Sequence, residues 1–113
     1  MSLTYSLYDK TLLLKIEGDL LGFAEEKELY KVAERHLSQT TNCIVDTSQM
    51  GHINSKGLSI LVRILTLLDK SSGTMVLISP PSQFNKLLKI TKLDKVFLTA
   101  ESRSEALRVL PST

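Results

Sequence analysis

Along the chain the spacing of apolar residues changes several times, and each change marks an expected element. Thr4 to Tyr8 and Thr11 to Glu17 read as two short strands, with Asp9-Lys10 supplying the turn of an opening hairpin. Gly18-Asp19 breaks the second strand, with Gly18 and Gly22 read as turn-formers. Ala24 to Leu37 then places Leu29, Val32, Ala33 and Leu37 on one helical stripe. Glu25, Glu26 and Glu28 fall in its first turns, where acidic side chains complement the positive end of the helix dipole.

Asn42 to Asp46 is a short apolar run whose length and flanks favour a buried strand. A loop is expected from Thr47 to Asn54. From Ser55 to Lys70, Leu58, Leu61, Val62, Leu65 and Leu68 recur at three- and four-residue spacing, the strongest helical signal in the chain, and Ser71-Ser72-Gly73 closes it. Thr74 to Ser79 is a second buried strand, stopped by Pro80-Pro81 before a shorter helix from Ser82 to Ile90 with Ser82 as its N-cap. Val96 to Leu98 gives a last strand. Ser102 to Leu110 forms a terminal helix, with Ser102 and Glu105 in a capping-box spacing and Pro111 at its end.

The alternation of strands and helices after the hairpin implies parallel strands joined by helical crossovers. The expected architecture is α/β: a mixed, largely parallel sheet of about five strands flanked by about four helices. The 113 residues fit one domain spanning 1–113, without a repeat or linker to divide it.

Composition narrows the function classes. At 42% hydrophobic and 23% charged the chain is expected to fold on its own, and a net charge of +2 does not by itself call for nucleic acid. The densest basic stretch, Lys86, Lys89, Lys92 and Lys95, is interleaved with apolar residues and reads as a solvated helix face running into a loop. Cys43 is the one cysteine, which rules out an intrachain disulfide, and its apolar setting suits a small buried side chain. His36 and His52 stand apart from each other and from Cys43, so no metal-site spacing arises, and the glycines match no phosphate-cradling motif. Neither cofactor, metal nor catalytic set is expected. Without a targeting or membrane-spanning stretch, the expected location is the cytoplasm.

The stretch that stands out runs from Ile44 to Leu58. A buried strand ends at Asp46, a polar segment follows, and Asn54-Ser55 leads into a long helix whose first amides need acceptors. A side-chain oxygen of Asn54 or Ser55 can supply one. Gly57 in the first turn is expected to leave the helix backbone open to a partner or an anion, while Leu58 begins the apolar stripe. Asp46 and Ser48 are expected to organise the loop through local side-chain to backbone hydrogen bonds.

This region resembles the signature of the anti-sigma factor antagonist (STAS) family: an apolar strand closing on Asp-x-Ser, then Ile-Asp-Ser-Ser-Gly-Leu opening a helix. The matching residues are Asp46-Thr47-Ser48 and Ile53-Asn54-Ser55-Lys56-Gly57-Leu58. Glu17-Gly18-Asp19-Leu20 is similar to the family's turn before its first helix, and Thr74 to Phe97 to its strand, helix and Leu-Asp-x-Val-Phe ending. The resemblance implies a non-enzymatic protein-binding module that engages an anti-sigma factor acting also as a serine kinase. It assigns phosphorylation to Ser55, and partner binding to Asp19, Asn54, Ser55, Lys56, Gly57 and Leu58. Phosphate at Ser55 would place about two negative charges at a helix mouth, favourable to the helix and disruptive to a fitted interface.

Two residues depart from the family pattern. Asn54 stands where the family has Asp, and Lys56 where it has a second Ser. Both lower the local negative charge. They either ease accommodation of a phosphate or mark a module that docks without being phosphorylated, as in a signalling scaffold or the soluble subunit of a lipid-transport ATPase. A small-ligand or nucleotide-binding domain is a third class, which nothing in the residue pattern favours.

Overall fold

The computed structural model describes residues 1–36, 42–70 and 73–110, with the side chain of Glu25 also outside the description. Its elements are β1 (Ser2–Tyr8), β2 (Thr11–Leu20), a 3-10 turn (Ala24–Glu26), α1 (Lys27–His36), β3 (Asn42–Ile53), α2 (Ser55–Lys70), β4 (Thr74–Ile78), α3 (Ser82–Ile90), β5 (Leu98–Ala100) and α4 (Arg103–Val109). The strands form one sheet in the order β1-β2-β3-β4-β5. β1 and β2 are antiparallel, and every later pairing is parallel. This is the expected α/β architecture.

The hairpin turn uses Asp9 and Lys10, both at positive φ (45° and 67°). Two such residues give a turn whose twist matches the flanking strands, so Tyr8 pairs with Thr11. Alternation along β3 and β4 then divides the core between the two sheet faces. Cys43, Val45, Met75 and Leu77 join β2, α1, α2 and α3 on one face. Ile44, Val76 and Ile78 meet Ala100 of β5 and Ala106 of α4 on the other. Burial of Cys43 pushes its thiol from 9.0 up to about 12, which keeps it protonated and unreactive.

Several boundaries differ from the sequence reading. The stretch from Thr47 to Ile53 is not a loop but the continuation of β3, and β2 likewise runs through Gly18-Asp19 to Leu20. The first helix opens as a 3-10 turn, and Leu37 lies outside the described residues. Ser71, Ser72 and Pro111 lie outside them as well. β4 ends at Ile78, and Ser79 turns away with φ 45°. Pro81, not Ser82, occupies the N-cap position of α3, and it offers no side-chain acceptor. β5 is shifted to Leu98–Ala100 because Phe97, at the end of the preceding turn, is drawn into the core. Ser102 caps α4 as expected, accepting from the Glu105 amide at 3.2 Å, whereas the Glu105 carboxylate returns to the Glu101 amide.

Candidate functional site

The end of the sheet nearest α2 is built from two bulges. From Lys15 to Glu17 β2 advances two residues while β3 advances three, from Asp46 to Gln49, and the same happens between Gly18/Met50 and Leu20/Ile53. An extra residue in one strand frees an amide from the ladder, and each bulge has a carboxylate in place to receive one. Asp46 Oδ1 accepts from the Ser48 amide at 3.0 Å and from the Ser48 hydroxyl at 2.6 Å. Asp19 Oδ1 accepts from the His52 amide at 2.8 Å, in a space a Cβ on Gly51 would fill. Asp46 and Ser48 thus interact locally as expected, but within a bulged strand.

Two further side chains replace missing sheet neighbours. Buried Thr47 donates its hydroxyl to the Ile78 carbonyl at 2.7 Å, tying the β3 extension to the end of β4. Beyond that point β4 is absent. There the Gln83 amide pairs with both backbone groups of Ile53, accepting from its N–H at 3.0 Å and donating to its carbonyl at 2.7 Å. Neither role was legible in the sequence, because Thr and Gln carry no periodic signal.

At the junction between β3 and α2 the N-cap is Asn54. Its Oδ1 accepts from the Gly57 amide at 2.8 Å, and its Nδ2 donates to the Leu21 carbonyl at 3.1 Å. Ser55 is therefore not the cap, and it sits exposed at the first helical position. Lys56 is exposed beside it and makes no ion pair among the described residues. Gly57 departs from expectation: it is buried, and an added Cβ would collide with the Leu20 carbonyl oxygen. Its missing side chain lets α2 lie against the end of β2 and opens no backbone to a ligand. Leu58 is 3% exposed and belongs to the core. Gly57 and Leu58 accordingly support the surface from beneath without forming part of it.

One element of the site was missed entirely. The carboxylate of Glu26, a residue 2% exposed, gathers the amides of Leu21, Gly22 and Phe23, at 2.8 Å for Leu21 and 2.7 Å for Phe23. Gly22, at φ 85°, lies so close to Lys56 that a Cβ would collide with that side chain. The 21–23 loop is thereby fastened to the start of α2, and Leu21, Phe23, Asn54, Ser55 and Lys56 line one shallow depression. The only forward signal was three glutamates in a row of four residues, which periodicity assigns to the dipole.

The fold and its exposed strand-to-helix junction define a small α/β domain with a mostly parallel sheet and a polar surface at one end. The chain belongs to the STAS domain family, whose family model matches residues 4–106. It is similar in fold to the protein TM1081 of Thermotoga maritima, at 23% identity and TM-score 0.80 over 96% of this chain and 93% of the other. It is likewise similar to the anti-sigma factor antagonist SpoIIAA in its unphosphorylated form, at 14% identity and TM-score 0.83 over 98% of this chain and 100% of that one. The phosphorylated form of the Bacillus cell fate determinant SpoIIAA aligns at 16% identity and TM-score 0.72 over 95% and 97% of the two chains. Among the described residues no helix is long and apolar enough to cross a membrane.

Proposed function

We propose that this chain is a cytoplasmic anti-sigma factor antagonist, acting as a binding module without catalysis of its own. Its partner is an anti-sigma factor that also serves as a serine kinase. The partner docks on the surface formed by Asp19, Asn54, Ser55 and Lys56, with Gly57 and Leu58 holding that surface in place, and phosphorylation of Ser55 releases it.

The observation that carries this reading is the division of labour at the start of α2. Asn54 takes the capping role, so the Ser55 hydroxyl is exposed without a structural duty there. A kinase can reach it without unfolding the helix. The existence of both unphosphorylated and phosphorylated SpoIIAA within the same fold supports a phosphate-controlled reading.

The test is mass spectrometry of the protein recovered with its partners from its native cell, joined to binding measurements on Ser55→Ala and Ser55→Asp. Phosphate on Ser55, with a kinase-type anti-sigma factor that binds the Ala variant and releases the Asp variant, is the expected result. An unmodified Ser55 with a transport ATPase or scaffold protein as the specific partner would replace this reading with that of a phosphorylation-independent docking subunit.

A further inference from the structure

Phe23 is 57% exposed, an aromatic ring presented to water on a loop that is otherwise firmly held. Its amide donates to the Glu26 carboxylate at 2.7 Å, and its carbonyl accepts from the Glu26 amide at 3.0 Å. The preceding Gly22 is in contact with Lys56, and Asn54 bonds the Leu21 carbonyl. Burying a carboxylate under three amides gains nothing for the ring itself, but it removes the ordering cost that a mobile loop would incur on association.

The charges around the ring point the same way. Asp19, whose Oδ1 holds the His52 amide, is not among the residues that line the depression, and Glu26 is buried beneath the loop. Lys56 is the group in the depression left with an unpaired charge among the described residues. Its stem lies against Gly22, so the loop that carries Phe23 also limits where the ammonium can go. A small anion would find little enclosure here: the Gly57 amide is taken by Asn54, and Gly57 itself is covered by Leu20. A folded protein brings its own walls.

We propose that Phe23 and Lys56 form a preorganised two-point anchor, the ring entering an apolar socket of the partner protein while the ammonium meets a carboxylate at the rim of that socket. This rests on reading the Ser55 surface as the docking face, and it gives the phosphate a specific action. About two negative charges on Ser55 would pair with the adjacent Lys56 and repel the partner's carboxylate, converting one of the two attractive points into a repulsive one. Release then follows from charge reversal on a rigid surface. Phe23 and Lys56 contribute by contact, through an exposed ring and an ammonium with no ion pair among the described residues, and Lys56→Glu keeps the first carbons of the stem that lies against Gly22.

The test uses the full chain in its native cell, with a photoreactive phenylalanine analogue at position 23 and, as a control, at the exposed Ile90 on α3. The expected result is an adduct with one protein at position 23 and none at 90. Purified, that protein should bind Phe23→Ala and Lys56→Glu about tenfold more weakly or worse. Its binding to Lys56→Glu should be restored when an acidic residue of the cross-linked segment is changed to Lys, and both variants should keep the thermal unfolding profile of the parent. The same losses with a partner other than an anti-sigma factor would uphold the anchor and defeat the proposed function. A kinase-type anti-sigma factor that responds to Ser55→Asp yet binds Phe23→Ala and Lys56→Glu normally would leave that function standing and overturn the anchor. The absence of an adduct at position 23, or ATP binding that is lost in Phe23→Ala, would also overturn it.

Discussion

Glu26 and Gly57 do opposite things at the same corner of the molecule. Glu26 fills its space with a carboxylate that serves three amides, and Gly57 leaves its space empty so that a carbonyl can enter. Replacing Glu26 with Gln keeps the size but turns one acceptor oxygen into a donor facing N–H groups. The expected cost is about 1–3 kcal/mol, read from chemical denaturation, with faster amide exchange confined to residues 21–23. Gly57→Ala carries a sharper signature, because in most helix interiors Ala improves stability over Gly by up to about 1 kcal/mol. Here the new methyl group would meet the Leu20 carbonyl, with its carbon only 2.8 Å away, and backbone cannot rotate aside as a side chain can. We expect a loss of about 1–3 kcal/mol instead, a reversal of sign that a thermal melt would register as a fall of several degrees.

Among the elements, β3 shows why the sequence disclosed the sheet but concealed the site. Its first part, Asn42 to Val45, is buried on both faces and reads as an apolar run. Its second part buries Thr47, Met50 and Ile53, a spacing of three where an unbroken half-buried strand has two. The two bulges create that spacing, each adding one exposed residue per repeat, so no period-two signal survives and the polar content resembles a loop. The helix beginning at Ser55 was legible, since it rests on local chemistry, and so was the need for a side-chain cap there, although the choice between Asn54 and Ser55 came only with the structure. The grip of Glu26 on the 21–23 loop and the pairing of Gln83 with Ile53 were not, because they depend on chain segments brought together only by the fold. Gln83 offers a test at this scale. Gln83→Ala should cost about 1–2 kcal/mol and accelerate exchange of the Ile53 amide, while the pairing of Asn42 to Asp46 with β4 stays protected. Uniform acceleration along β3 would show instead that the strand opens as one unit.

At the scale of the whole molecule, the question is whether the proposed switch needs the fold to move. Ser55 lies at the positive end of a sixteen-residue helix, the place where a negative charge is favoured, and its side chain is outside both the cap and the core. Adding charge there leaves every interaction of the bulged strand, the Glu26-held loop and the Gly57 contact in place. Ser55→Asp should therefore unfold at the same temperature as the parent or slightly higher, by an amount equivalent to about 0.3–1 kcal/mol, shrinking as salt is added. The neighbouring Lys56 adds to that direction. The same variant should lose affinity for its partner, so that stability and binding move in opposite senses. If Ser55→Asp were clearly destabilised, the charge would have to disturb the junction itself, and release would then be a consequence of partial unfolding at the start of α2 instead of repulsion across an intact interface.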